Sequence, residues 1–315
     1  MSNLSFYPIG EISVVDVLGA DAAQILHNLT TNDVKKLPVG SGCETFVTDV
    51  RGKTLGHVAA YRTELGFQLI GASGQSDAIV SHVDRYTIRE DVTPTVRDAD
   101  FKAIVVESRE AIEQLAGSST SVPNNPSLRW YELSKWNVLS YQVNWVSDTA
   151  EVLLVPNSRV DELSGACIEY GLTKRSEEEF HSDRIRNRYP WYGTDLSEKN
   201  LPQEADRNAS AISFTKGCYL GQETVARLDA LGQVQKKLVL WSIDGIPLAG
   251  SELLDGEKLV GRLTSVTAKS ENQAVAIGVA RRSHFEIGAT AQIKLYGQKA
   301  NDREMTATVI SEFDE

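Results

Sequence analysis

Lys216-Gly217-Cys218-Tyr219-Leu220-Gly221-Gln222-Glu223, closed by Arg227, sets one cysteine between two glycines and directly ahead of a helical pattern. Upstream, Ala211-Ile212-Ser213-Phe214 alternates small or polar with apolar residues and reads as a short strand, while Gln222 to Leu228 reads as the opening of a helix. Cys218 is therefore expected in a tight strand-to-helix turn. Glycine takes backbone conformations that side-chained residues resist, so Gly217 and Gly221 let the turn bring its amides close to another molecule. The ammonium of Lys216 and the unpaired amides of a helix start both favour thiolate over thiol. The stretch points to a thiol in use, as nucleophile or metal ligand. The plainer alternative is a buried structural cysteine, since free cysteine is among the most buried residue types.

The wider composition sets bounds on that reading. The chain has 315 residues, 41% apolar and 24% charged, enough for two or three domains with a substantial core. With 32 basic and 43 acidic residues the net charge is −11, which disfavours nonspecific binding to nucleic acid or to an anionic membrane. Met1 to Gly10 lacks a basic region followed by a long apolar core, and no apolar run has the length of a transmembrane helix. Cys43, Cys167 and Cys218 are widely separated, which argues against a disulfide framework and fits a reducing cytoplasm. They also argue against a resident iron–sulfur cluster, which needs about four thiolates. Neither a metal-ligand cluster, a phosphate-cradling glycine loop nor a dinucleotide fingerprint is present.

Along the chain, Glu11 to Asp16, Thr45 to Val50, Leu55 to Thr63 and Phe67 to Gly71 read as strands, with helices over Asp21 to Leu29 and Gln75 to Tyr86. A strand over Asp100 to Glu107 and a helix over Arg109 to Leu115 follow. Gly117 to Pro126 forms the clearest loop and is expected to join two subdomains. Beyond it, strands are expected around Trp130 to Leu133, Asn137 to Val143 and Glu151 to Pro156, then a helix over Val160 to Tyr170. From Lys236 the pattern changes to short strands between glycine turns, namely Lys237 to Ile243, Val260 to Ala268, Ala274 to Val279, Ala291 to Leu295 and Thr306 to Glu312. That reads as a small antiparallel barrel or sandwich.

The Cys218 stretch resembles the signature of the YgfZ family, whose members share a scaffold with the T-protein of the glycine cleavage system and are linked to maturation or repair of iron–sulfur proteins. Lys216, Gly217, Cys218, Tyr219, Gly221, Gln222, Glu223 and Arg227 match the pattern position for position. Further similarity lies in Gly19 to Leu26 with Leu29-Thr30-Thr31-Asn32-Asp33-Val34, in Thr48-Asp49-Val50-Arg51-Gly52-Lys53, in Tyr86 to Val92, in Leu201-Pro202-Gln203-Glu204 and in Gly261-Arg262-Leu263-Thr264-Ser265. The resemblance implies an α+β fold: a T-protein-like folate-binding region of two mixed α/β subdomains over residues 1–232, with a subdomain break near 117–127, and a β-barrel domain over 233–315. It also implies tetrahydrofolate or a derivative as ligand.

Two residues depart from the T-protein pattern. The glutamate that pairs with the pterin falls at Arg186 within Arg184-Ile185-Arg186-Asn187-Arg188, and a cation offers no acceptor to the pterin's donors. Glu204, Glu223, Asp183 and Asp195 are candidate substitutes. The catalytic aspartate after the first hairpin falls at His57, which argues against aminomethyl transfer from glycine and also fits a hydrogen-bonded strand histidine. Lys174, Arg175, Arg184, Arg186 and Arg188 suit an anionic partner, or a solvated helix face paired with Glu177, Glu178 and Glu179. Trp130, Trp136, Trp145, Trp191, Tyr189 and Tyr192 offer flat faces to a pterin or fill the core; Tyr189-Pro190-Trp191-Tyr192-Gly193 is the best placed of them.

The expectation is a cytoplasmic, folate-dependent accessory protein supporting assembly or repair of iron–sulfur enzymes. Cys218 is its reactive or ligating thiol and Lys216 tunes it. Gly217, Tyr219, Gly221, Gln222, Glu223, Arg227, Glu204, Arg184, Arg186 and Trp191 shape the turn or receive the ligand. The partners are folate and iron–sulfur client or assembly proteins, with no nucleic acid and no membrane. The alternatives are a folate-dependent methyl- or aminomethyltransferase acting on a small donor, and a folate-binding regulator without chemistry.

Overall fold

Strict alternation in Ile12-Ser13-Val14-Val15-Asp16-Val17-Leu18 would bury one face of a strand, yet six of these seven residues are buried, so this strand is covered on both sides. The computed structural model describes residues 4–116, 128–133, 136–232, 234–293 and 304–313. The chain runs β1 (Ser5–Ile9), β2 (Ile12–Leu18), α1 (Ala22–Leu29), β3 (Gly42–Thr48), β4 (Thr54–Arg62), β5 (Gly66–Ala72), α2 (Ser76–Tyr86), β6 (Thr93–Val96), β7 (Phe101–Val106) and α3 (Arg109–Ala116). It continues with β8 (Leu128–Leu133), β9 (Trp136–Gln142), β10 (Glu151–Pro156), α4 (Val160–Glu169), β11 (Thr173–Lys174), α5 (Glu177–Arg186), α6 (Asn208–Ala211) and α7 (Gln222–Leu231). The last six strands are β12 (Lys236–Ile243), β13 (Glu252–Asp255), β14 (Lys258–Ser270), β15 (Gln273–Arg281), β16 (Thr290–Ile293) and β17 (Met305–Ile310).

Two sheets lie face to face. The first has the order β3-β4-β5-β2-β6 and the second β11-β1-β7-β10-β9-β8. Ile12, Val14, Tyr61 and Ile70 of the first meet Tyr7, Ile9, Val105, Tyr141 and Val152 of the second in one core. On its outer face the first sheet packs Val15, Val17, Val58 and Leu69 against Ile25, Leu26 and Leu29 of α1 and Ile79 and Val83 of α2. The outer face of the second is covered by Ala111 and Ile112 of α3 and by Leu163 and Cys167 of α4. Such helix–sheet–sheet–helix layering buries both faces of each sheet, which is why the apolar residues of β2 and β10 run nearly unbroken.

The changeover between sheets differs from expectation. β7 and α3 precede residues 117–127 and β8 follows them, yet β7 and β8 lie in the same sheet. The chain therefore passes from the first sheet to the second between β6 and β7, and β1 crosses in the opposite sense by pairing with β7. Residues 117–127 themselves lie outside the described residues. The strand expected over Ala211 to Phe214 is also replaced: α6 ends at Ala211 and the chain beyond it is irregular. There Thr31 Oγ1 donates to Ala211 O and Ser213 N to Thr31 O, so contacts from distant sequence override local alternation.

The C-terminal strands close into a barrel of order β12-β15-β14-β13-β16-β17 around Trp241, Leu253, Leu263, Ala276 and Ile293. Outside, Leu238, Leu240, Val275 and Ile277 pack against Phe46, Ile185, Ile212, Tyr219 and Val225, so the barrel shares a core with the rest of the chain.

Candidate functional site

Cys218 is exposed at the rim of a 320 Å³ cleft lined also by Ile25 and Asn28 of α1, by Tyr86 and Glu90, and by Tyr219 and Leu220. Two segments distant in sequence hold this turn, the end of α1 and the β3–β4 hairpin. Leu220 N donates to Asn28 O at 2.8 Å, and Thr48 Oγ1 donates to Leu220 O at 2.8 Å. Gly221 lies at φ +80°, and a Cβ there would stand 2.5 Å from Asp49 O and from Gly52 Cα. This close approach of two backbones requires glycine and seats the β3–β4 hairpin turn on the start of α7. Gln222 folds back so that Oε1 accepts from Tyr219 N at 3.2 Å. Gly217 is exposed, as are Glu223 and Arg227 on α7.

Lys216 is buried and does not sit free beside the thiol. Its Nζ donates to His27 O at 2.7 Å, Thr30 O at 2.6 Å and Asn32 O at 2.8 Å. Three donors on three carbonyls at the end of α1 make it a cap supplied from far along the chain. Burial pulls its pKa down to about 8, against the opposing pull of Asp33 and Cys43. The expected tuning of Cys218 thus gives way to a positioning contact: Lys216 fixes where the loop starts, two residues before Cys218.

Arg184 is also removed from any ligand. Only 2% exposed, it donates from Nη1 to Asp195 Oδ2 at 2.8 Å and to Tyr189 O, from Nη2 to Ser265 Oγ at 2.9 Å and from Nε to His181 Nδ1. Asp195 further accepts from Trp191 N and from the hydroxyls of Thr264 and Ser265. Helix α5, the Tyr189–Gly193 turn and the Gly261–Ser265 segment of the barrel meet at this one buried carboxylate. Arg186 pairs with Asp183 at 2.9 Å and lies over the Phe313 ring, facing the barrel. Glu204 binds Asn200 and Lys236 on a different cavity, and Trp191 packs edge-on to Trp145 with ring centres 5.1 Å apart.

Between the two sheets lies a 250 Å³ cavity lined by Cys43, Glu44, Tyr61, Gln142, Asn144, Trp145, Tyr189 and Ser210, among others. Glu44 is its charged group. Arg207 grips it from Nε to Oε1 at 2.9 Å and from Nη2 to Oε2 at 2.5 Å, and His57 Nε2 lies 2.7 Å from Oε1. Burial pushes the Glu44 carboxyl up, but the hydrogen bonds from Arg207 and His57 outweigh it and hold the pKa at about 2. Burial pushes the neighbouring Cys43 thiol up to about 12, only partly countered by Lys216. The His57 ring is stacked between Phe46 and Tyr189, with centres 4.6 and 5.3 Å apart. His57 is therefore the hydrogen-bonded strand histidine, and its role here is to orient Glu44.

Sequence reasoning missed Glu44 and Arg207. The available signal was an acid within the strand Gly42-Cys43-Glu44-Thr45-Phe46-Val47-Thr48, where a charge needs a partner. Of the aromatic candidates, Trp145 and Tyr189 line the cavity and Trp191 and Tyr192 do not. The side chains of Trp130 and Trp136 lie outside the described residues.

Residues 6–216 match the family described as GCVT N-terminal domain. The chain is 24% identical over 263 residues to "tRNA-modifying protein YgfZ" of Sodalis glossinidius, covering 79% of this chain and 75% of the relative. It is 24% identical over 265 residues to the protein of the same name from Aliivibrio fischeri, covering 83% and 78%. Among solved structures, the glycine cleavage system aminomethyltransferase T from Bartonella henselae superposes with a TM-score of 0.83 at 15% identity, over 98% of this chain and 85% of that one. The α+β architecture with its terminal barrel is thus that of the T-protein fold. The chain belongs to the GCVT N-terminal domain family, and its similarity to YgfZ proteins extends over about four-fifths of its length.

Proposed function

We propose that the central cavity receives the pterin head of tetrahydrofolate or a derivative, and that the protein is a folate-dependent accessory factor supporting assembly or repair of iron–sulfur enzymes through the Cys218 thiol. The observation that carries this reading is Glu44, an ionised carboxylate on the wall of a cavity flanked by Trp145 and Tyr189. An ionised carboxylate has about four acceptor positions, and His57 and Arg207 occupy three, which leaves room for one donor of the aminopyrimidinone edge. Glu44 would orient the pterin, the aromatic faces would stack on it, and Gln142 and Asn144 would border its polar edge. At 250 Å³ the cavity suits a bicyclic head, with the remainder of the molecule leading outward. A folate bound there supplies a one-carbon unit or reducing equivalents.

Cys218 is exposed and lies on a cleft bordered by other elements of the family pattern, a position open to a partner protein. A helper role accommodates the relatives' names through a cluster-dependent tRNA-modifying client, whereas a net charge of −11 disfavours direct handling of RNA. Aminomethyl transfer is disfavoured by His57, enclosed between two rings and bonded to Glu44 where a T-protein has its aspartate. The test is reactivation of an oxygen-damaged iron–sulfur hydro-lyase in an extract lacking this protein. Adding the wild type restores activity, and Cys218→Ala, folded to the same melting temperature, restores about a tenth or less. Equal restoration by the variant removes the thiol from the account and favours the regulator without chemistry.

A further inference from the structure

A 520 Å³ cavity lies where the Leu201–Glu204 segment, the end of α7 and the barrel meet, apart from both sites above. Its apolar wall comes from Leu201, Leu228 and Val234, and its rim is basic: Lys236, Lys258, Arg281 and Arg282. Lys236 and Arg281 stand directly opposite one another on β12 and β15. Like charges so placed destabilise a sheet unless an anion lies between them. Glu204 offsets Lys236 alone, at 3.3 Å; among the described residues no carboxylate pairs with the exposed Lys258, Arg281 or Arg282. A buried amide also lies in the cavity wall. Gln203 lines the cavity at 2% exposure, its Nε2 donates to Val225 O, and its Oε1 has no hydrogen-bond partner among the described residues. A buried acceptor left without a donor is costly.

The geometry points to a binding site for a phosphorylated small molecule with a flat apolar body, a mononucleotide in size. The guanidinium groups of Arg281 and Arg282 suit a phosphate's paired oxygens, Lys258 adds a point charge, and the apolar wall takes the ring. The volume falls within the range of small-molecule sites.

The test is calorimetric titration of the full chain with adenosine 5′-monophosphate, adenosine and inorganic phosphate, repeated on Lys258→Ser/Arg281→Ser. Saturable binding of the nucleotide is expected, about tenfold or more weaker for adenosine and for the double variant, since each loses charge-assisted contacts. The unliganded variant should melt at or above the wild-type temperature, because the opposed charges of Lys236 and Arg281 are relieved. Absence of saturable nucleotide binding, or equal binding by the double variant, overturns the proposal. Phosphate binding as tightly as the nucleotide overturns the part assigned to the apolar wall.

Discussion

Arg207 Nε stands 2.9 Å from Glu44 Oε1, joining the chain just ahead of α6 to β3 at the wall of the central cavity. The contact fixes the Glu44 carboxylate in its charged form without enclosing it, since Glu44 still borders open volume. It also predicts how stability responds to acid. The Glu44 pKa is about 2 in the folded chain against an ordinary 4.5, so its stabilising contribution is complete above pH 4.5 and is lost as the pH falls through about 2. Denaturation midpoints measured from pH 6 to 2 are expected to fall less steeply for Glu44→Gln than for the wild type, the variant starting lower. Parallel curves would mean that Arg207 and His57 do not hold this charge.

Lys216 is also shifted down, but in its case burial disfavours the charged form. Its folded pKa of about 8 lies below the ordinary 10.5, so between those values the unfolded chain keeps a proton that the native chain has released. Its contribution to stability therefore rises with pH over that window. Lys216→Met should lose the rise when the difference from wild type is followed from pH 7.5 to 10.5, and should loosen the Cys218 loop to proteolysis. An unchanged pH profile would show that the Lys216 ammonium is not buried.

The meeting of Gly221 with Gly52 predicts a pair of opposite effects. Gly221→Ala places a methyl 2.5 Å from backbone atoms at a positive φ and should destabilise by more than ~1 kcal/mol in urea unfolding. Gly165→Ala, within α4 and with nothing within 4 Å of the new methyl, should stabilise by about 0.5–1 kcal/mol. A neutral Gly221→Ala would show that the hairpin and the Cys218 turn are not in contact.

Asp195→Ala strands the buried Arg184 guanidinium and frees the barrel hydroxyls, and should cost about 3–5 kcal/mol. Its melting temperature should fall sharply with the barrel and the two sheets melting together. A loss below ~1 kcal/mol would show that solvent replaces the pair at little cost.

Period and turn chemistry made most elements legible: the nearly unbroken apolar run of β10, the helical spacing of α1 and α2, and the glycine-separated strands of the barrel. Residue order could not reveal that β1 pairs with β7, because strand pairing is a long-range choice settled by the shared core. For the site, the Lys216–Arg227 stretch was conspicuous because it is contiguous. Its lysine was misassigned because a carbonyl partner leaves no side-chain signature in sequence. Glu44, His57 and Arg207 come from three separate segments and converge only through folding, so the charged centre of the cavity had no local trace. Arg186 invited comparison with a pterin ligand by alignment alone, whereas its side chain turns toward Asp183 and the barrel.

The most direct measurement is an anaerobic calorimetric titration with tetrahydrofolate of the wild type, Glu44→Gln, Arg186→Glu and Ser210→Phe, the last an exposed rim residue that narrows the cavity without touching the core. The account predicts saturable binding by the wild type and by Arg186→Glu, and binding weakened about tenfold or more in Glu44→Gln and Ser210→Phe. A wild type that does not bind, or binding gained only when Arg186 becomes glutamate, would contradict it.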